Sequence, residues 1–257
     1  MSIAIIAGII TLFFTTLLTI AGEGAAIILI PTFIALGIDI RVAMATALLL
    51  NSLAMIFACP RYIKNKLIMF KVGLPILIAA ALCSPIGAYV SKKLDQQLLI
   101  VLFIGFLLFA SGMMFLYRPQ EKKQKEVEQS KTKEIVYGTS VGIIAGFMAG
   151  LLGVGGGNFI LPMLVYLGFN PKKASATTAF IVIFSSFSGF LGHASVGNIE
   201  FNLLLFTAIG SVVGALIGSW LMSEKLKSNQ VKLVIGSVLL AIAAKMIWNF
   251  CICSVHL

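Results

Sequence analysis

Ten apolar segments dominate this sequence, and most of them are long enough to cross a lipid bilayer as a helix. They are Ile3–Ala21, Gly24–Gly37, Val42–Cys59, Val72–Val90, Leu98–Tyr117, Ile135–Leu152, Gly156–Gly168, Ala174–Gly192, Leu203–Met222 and Val231–Cys253. A hydrocarbon core about 30 Å thick needs about 20 helical residues. A helix also satisfies its own backbone hydrogen bonds inside lipid. The segments therefore predict an all-α integral membrane protein.

The charged residues support this interpretation. Only 11% of the 257 residues are charged, and the net charge is +10, whereas about 25% of a soluble domain is charged. Lys and Arg lie mainly between the apolar segments, as in loops that face anionic headgroups. We therefore expect the lipid bilayer as a partner and no nucleic acid. The sequence leaves a homo-oligomer open.

The two halves of the chain repeat each other. A shift of 131 residues aligns four landmarks: Gly22 with Gly153, Gly24 with Gly155, Pro31 with Pro162, and Gly37 with Gly168. We divide the chain into a first membrane repeat (1–117), a polar linker (118–134) and a second membrane repeat (135–257). The linker is rich in Lys, which places it in the cytoplasm. Five apolar segments precede the linker, so the predicted fold is two inverted-topology repeats of four to five helical segments each.

Two glycine-rich loops occupy matching positions in the repeats. One is Gly150–Pro162, and the weaker copy is Ala21–Pro31, with Gly24-Ala25-Ala26 where the second has Gly155-Gly156-Gly157. The apolar segments after them, Gly24–Gly37 and Gly156–Gly168, are too short to span a bilayer and predict short, broken helices. Broken helices at matching positions of inverted repeats indicate a transport site between the repeats. The first N–H groups of such helices favour an anion.

The candidate substrate-binding residues are the loop glycines and nearby neutral donors. They are Gly22, Gly24, Gly153, Gly155, Gly156, Gly157, Asn158, Thr46, Thr177, Asn51, Ser185 and Ser186. The alternatives are structural. Thr and Ser in a helix often bond to their own backbone, and Gly often marks close helix packing. We expect packing alone for Gly105, Gly142, Gly146, Gly210 and Gly214.

Glu23 is an acid between two apolar segments. A carboxyl at membrane depth must be paired, protonated or hydrated. One interpretation is a proton-coupling group whose charge changes as an anion moves. The alternative is a residue at a water-filled mouth that only shapes the local potential.

Nearly the whole chain resembles the TauE/SafE sulfite-exporter family, since both halves and the central linker fit the layout of that family. The residues that carry the resemblance are Gly153-x-Gly155-Gly156-Gly157 with Pro162, then Gly168 with Ala174-x-Ala176-Thr177-Thr178, then Ser185-Ser186-x-Ser188-Gly189. The resemblance implies a multi-pass protein of the bacterial cytoplasmic (inner) membrane that moves small sulfur-containing anions such as sulfite or organosulfonates.

The leading hypothesis is therefore a secondary transporter or facilitator with a small anionic substrate. The alternatives are a permease for a non-sulfur anion and a membrane assembly or scaffold protein without transport. The sequence contains no HExxH motif, no P-loop and no paired acids in the membrane segments. We therefore expect no enzyme activity, no catalytic residues, no cofactor and no metal site.

Overall fold

The computed structural model describes residues 2–23, 26, 29–30, 33, 40–91, 96–116, 131–152, 157–193 and 201–255. These residues form nine α-helices and one π-helical turn, Leu221–Lys225. The α-helices are α1 (Ser2–Ala21), α2 (Ile40–Lys64), α3 (Phe70–Ser91), α4 (Gln96–Leu116), α5 (Lys131–Leu152), α6 (Gly157–Tyr166), α7 (Pro171–His193), α8 (Phe201–Trp220) and α9 (Ser228–Val255).

The helices follow the apolar segments closely. The expected short helix of the second repeat is α6, which has 10 residues and contains Pro162. Its counterpart, Gly24–Gly37, lies mostly outside the described residues. α5 begins at Lys131, so the last four residues that we assigned to the linker are helical.

Several of these helices are apolar enough to lie in a membrane. Within the described residues, three stretches are long and apolar enough to cross one: Ala45–Lys64, Leu203–Lys225 and Ser228–Trp248. Shorter apolar stretches occur in four further helices, α1, α3, α4 and α5. The all-helical structure is therefore that of an integral membrane protein.

The helices of the two halves pack on one another. α1 of the first half packs along α8 of the second, and α5 of the second packs along α3 of the first. α2 packs on α7, and α4 packs on α9. Under the 131-residue shift, α1 is equivalent to α5 and α3 to α8. The pairs α1–α8 and α5–α3 are therefore equivalent contacts, each with one helix from either half. The pairs α2–α7 and α4–α9 each join a helix to its own equivalent in the other half.

Glycines allow the close approach in two of these pairs. A Cβ added at Gly142 in α5 would lie 2.6 Å from the carbonyl oxygen of Ile76, and one at Gly214 in α8 would lie 2.6 Å from that of Leu12. Gly146 and Gly210 also meet backbone atoms of the opposite helix. The expected packing role is thus confirmed for these four glycines. It is wrong for Gly105, because no atom of the residues that the structure describes lies within 4 Å of the position of its Cβ.

The buried core is centred on α2, α6 and α7. Phe159, Leu161 and Leu164 of α6 are almost fully buried. α7 begins at a clear capping signal: Asn170 Oδ1 accepts the backbone N–H of Lys172 at 2.9 Å, and Pro171 occupies the first helical position. α6 lies in the interior because its side chains Phe159, Leu161 and Leu164 are buried. α7 lies beside it and contacts both α1 and α2.

Candidate functional site

The first half of the site is the turn that ends α1. Gly22 has a φ of +73°, which residues with a side chain rarely adopt. Its N–H donates to Thr19 O at 3.0 Å, and the N–H of Glu23 donates to Leu18 O at 3.2 Å. These two bonds form a Schellman motif. The motif places Glu23 in the protein interior, where the residue is only 5% exposed.

α7 holds this turn in place. A Cβ at Gly22 would overlap the carbonyl oxygen of Ser175, so the backbones of the turn and of α7 are in direct contact. The Ser175 hydroxyl donates to Ile20 O at 2.8 Å. Only glycine fits at position 22, since a side chain would be strained there and would also displace α7.

The second half of the site is the start of α6. Gly157, its first residue, is buried. A Cβ at Gly157 would lie 2.9 Å from Val182 Cγ2 and 3.0 Å from the Cα of Glu23. The turn after α1 and the start of α6 therefore touch inside the protein, against α7. The start of a helix presents unsatisfied N–H groups and a partial positive charge, so this contact is suited to an anion.

One face of α7 runs past both halves of the site. Ser175, Thr178, Val182 and Ser186 are spaced three or four residues apart and lie on the same helix face. Ser175 contacts the Gly22 turn, and Val182 contacts Gly157. One turn further along, Ser186 Oγ accepts a hydrogen bond from Asn51 Nδ2 at 2.9 Å. This bond brings α2 into the site.

The site contains buried oxygen atoms without hydrogen-bond partners. Within the part of the chain that the structure describes, they are both carboxyl oxygens of Glu23, Asn51 Oδ1 and Thr178 Oγ. Buried polar atoms are normally paired, and an unpaired one costs about 1–3 kcal/mol. These atoms therefore mark a position at which the protein can accept a proton or a bound solute.

Several expected donors are engaged elsewhere. Thr46 Oγ1 donates to Val42 O at 2.7 Å, and Thr177 Oγ1 donates to Lys173 O at 2.7 Å. Thr177 also accepts the backbone N–H of Met69 at 3.0 Å. Ser185 is partly exposed, and its Oγ lies 3.4 Å from Val182 O. The structure thus brings Gly22, Glu23, Gly157, Asn51 and Ser186 together but not Thr46, Thr177 or Ser185.

Thr178 is the residue that the sequence analysis missed. The pair Thr177-Thr178 is visible in the sequence, and only the second hydroxyl lies on the face that passes the turn. The face was predictable from Ser186, which is eight residues after Thr178 and on the same side of a helix.

Four of the predicted glycines, Gly24, Gly153, Gly155 and Gly156, lie outside the described residues, as does the side chain of Asn158. Among the residues that are described, no group of three or more His, Cys, Asp or Glu side chains is placed to hold a metal ion.

Comparisons with known proteins agree on one family. A sequence profile of the family described as sulfite exporter TauE/SafE matches residues 5–246. The probable membrane transporter protein YunE of Bacillus subtilis is 29% identical over 90% of this chain and 92% of its own. YjnA of the same organism, also named a probable membrane transporter, is 26% identical over 96% of this chain and 100% of its own.

A similar protein also occurs in an organism other than Bacillus subtilis. The probable membrane transporter protein MJ0441 of Methanocaldococcus jannaschii is 25% identical over 78% of this chain and 76% of its own. No solved structure gives a significant match.

Proposed function

Because the chain belongs to the sulfite exporter TauE/SafE family, whose similar members are named membrane transporters, we propose that it carries a small sulfur-containing anion across the bacterial cytoplasmic membrane. The substrate class is sulfite or an organosulfonate. The protein acts as a secondary transporter or facilitator.

The contact between Glu23 and Gly157 carries this proposal. It joins the end of α1 to the start of α6 in the protein interior. In the proposed arrangement, the anion lies at the start of α6, where N–H groups and the helix dipole hold it without a buried Lys or Arg. Ser186, whose oxygen already accepts from Asn51, keeps its own O–H available as a neutral donor. Neutral donors allow both binding and release.

The expectation from the sequence that Gly24, Gly153, Gly155 and Gly156 belong to the same site stays a prediction. The two halves are proposed to be inverted repeats, which agrees with the exchanged pairs α1–α8 and α3–α5. Transport then requires one set of helices to rock against the other around the site.

Glu23 is proposed to couple transport to protons. An ionised carboxylate beside a bound anion would repel it strongly in a medium of low dielectric constant. Proton uptake by Glu23 removes that repulsion, so the anion and the proton bind together. Each favours the binding of the other by the same free energy.

The function is tested with purified protein in proteoliposomes. The substrates are sulfite, thiosulfate, sulfoacetate, sulfate and simple carboxylates. We expect uptake of sulfite or sulfoacetate to exceed that of the carboxylates. Uptake of carboxylates alone would favour a permease for non-sulfur anions, and no uptake of any anion would favour the scaffold alternative.

A glycine comparison links the flux to the site. Gly157→Ala should lower the uptake rate at least several-fold, because the added methyl group displaces Glu23 or Val182. Gly138→Ala in α5 is the control for crowding, since its Cβ would meet Pro75 Cβ at 3.1 Å and Val72 O at 3.2 Å. Gly105→Ala is the control for an open position. If Gly157→Ala keeps wild-type uptake, as the two control variants do, the anion does not lie at the start of α6.

The coupling role of Glu23 has a separate test. In Glu23→Gln, anion exchange at equal pH should continue, while accumulation driven by a pH gradient should be lost. A variant with the wild-type dependence on pH would show that this carboxyl does not couple transport to protons.

A further inference from the structure

Thr178 differs from five other threonines of the apolar helices, and it shares a buried hydroxyl without a partner with Thr15 and Thr19. Five threonines, Thr11, Thr16, Thr46, Thr177 and Thr207, each donate to the carbonyl oxygen four residues earlier. That local bond is the usual way for a hydroxyl in a helix to be satisfied. Thr178 is fully buried, and its Oγ1 makes no hydrogen bond. Its hydroxyl is therefore available for a partner outside its own helix.

The position of Thr178 indicates that partner. It lies on α7 between Ser175, which holds the Gly22 turn, and Val182, which contacts the Gly157 position next to the Glu23 backbone. Both carboxyl oxygens of Glu23 are also buried and unpaired. A hydroxyl is a suitable donor for an ionised carboxylate.

Asn51 offers the complementary group. Its Nδ2 donates to Ser186 Oγ at 2.9 Å, and its Oδ1 is buried without a partner. An amide oxygen can only accept a hydrogen bond. It can therefore pair with a protonated carboxyl, which donates, but not with an ionised one.

We propose that Thr178 and Asn51 are positioning residues for the coupling proton of Glu23. The inference rests on the proposed function and adds the groups that handle the proton. When Glu23 is ionised, the Thr178 hydroxyl donates to the carboxylate. When Glu23 has taken a proton from water on one side, the carboxyl donates to Asn51 Oδ1. The proton leaves to water on the other side after the anion is released.

Other titratable groups on the surrounding helices do not take this role. The described ones on α2, α6, α7 and α9 are Cys59, Arg61, Tyr62, Lys64, Tyr166, Lys172, Lys173, Lys232 and Lys245. Tyr62 donates to Thr19 O at 3.0 Å, and Lys172 Nζ donates to Ser223 O at 2.7 Å. None of these groups is a hydrogen-bond partner of the Glu23 carboxyl.

The two variants should shift the pH dependence of transport in opposite directions. Thr178→Val removes a donor to the ionised form, so Glu23 keeps its proton to a higher pH. The pH at which uptake falls should then rise by about half a unit or more, as expected for one hydrogen bond. Asn51→Leu removes the acceptor of the protonated form, so the same midpoint should fall. Thr178→Ser should restore the wild-type midpoint.

The assay uses the full-length protein in proteoliposomes, with sulfite and sulfoacetate as probes. Sulfoacetate stays fully ionised near neutral pH, so the pH dependence reports the protein. The matched control is Thr15→Val. Thr15 Oγ1 is also buried and unpaired, but Thr15 faces Gly214 of α8, with its Cβ 3.0 Å from the Cβ position of that glycine. The pH midpoint of uptake in Thr15→Val should stay at the wild-type value.

Three results would overturn the inference. They are an unchanged midpoint in Thr178→Val, a shift of both variants in the same direction, or an equal shift in Thr15→Val. If Thr178→Val does not fold, Thr178→Ala takes its place with the same expected direction. In the Glu23→Gln background, Thr178→Val should have no further effect on the pH profile. If the wild-type protein takes up none of the tested anions, the proposed function itself is refuted.

Discussion

Thr177 and Thr178 are neighbours in α7, but their hydroxyl groups have different surroundings. Thr177 points toward the start of α3, where it accepts from Met69, and Thr178 lies on the face beside the Gly22 turn. The repeat pointed to Thr177 because it aligns with Thr46. Hydropathy alone could not show the difference, because it does not fix the rotation of α7; the eight-residue spacing from Thr178 to Ser186 was the signal that could have shown it. The sequence pointed to Gly22, Glu23 and Gly157 as candidates, because an acid is unusual in an apolar segment and the glycines are clustered there.

The two equivalent threonines should respond differently to substitution. Thr46→Val loses only a bond to its own helix, so the change in unfolding free energy should be below about 1 kcal/mol. Thr177→Val also leaves the Met69 N–H without its acceptor, which should cost about 1–3 kcal/mol. Thermal unfolding in detergent measures both. Equal melting temperatures for the two variants would contradict the Met69 bond.

Gly22 should tolerate no side chain. In Gly22→Ala, the positive φ is unfavourable and the methyl group overlaps the Ser175 carbonyl. Overpacking of this kind costs about 1–3 kcal/mol and the strained backbone adds to it, so the yield of folded protein should fall sharply. Size-exclusion chromatography of the detergent extract gives the yield. Gly105→Ala is the control, and a folded Gly22→Ala protein with the wild-type melting temperature would show that the turn is not tightly held.

At the scale of the helices, apolar length was a sufficient guide to most of the structure. The segments Val72–Val90 and Leu98–Tyr117 predicted α3 and α4 to within a few residues. The short α6 followed from the length of its segment. What could not be predicted is which side of a helix meets a neighbour. For that reason Gly105 was wrongly expected to pack, although it faces open space on α4.

Substitution of the glycines between α3 and α5, and of those between α1 and α8, should lower the unfolding free energy by similar amounts. Gly142→Ala and Gly214→Ala each place a methyl group 2.6 Å from a carbonyl oxygen of the opposite helix. We expect each to lower the unfolding free energy by about 1–3 kcal/mol. Gly105→Ala should leave it unchanged or raise it by up to about 1 kcal/mol, because Ala is the better helix former. Chemical unfolding in mixed micelles measures the three values, and an equal loss in Gly105→Ala would contradict the assignment of the glycine contacts.

At the scale of the whole molecule, each half supplies the packing surface of the other. α1 packs along α8, α3 along α5, and α2 on α7. The sequence showed the repeat but not this exchange, since a shared pattern does not say whether the halves pack separately or together.

The exchange predicts how the protein behaves when it is divided. Residues 1–117 and 118–257 produced as separate chains should each be unstable, because α1 and α3 lack their main neighbours. Expressed together, they should copurify through a tag on one half. A single half that is monodisperse and thermally stable by itself would contradict the exchanged packing.

The bond from Ser52 Oγ to Ile183 O, 3.0 Å long, joins two positions that are 131 residues apart in the chain, the same spacing that relates the repeats. Equivalent positions of the two halves are therefore in direct contact here. A symmetric pair of serines at this position would form the bond twice, once in each direction. The chain has serine on one side and isoleucine on the other, so one such bond forms. In a single chain each side of the contact can change alone, which a symmetric pair of identical subunits cannot do.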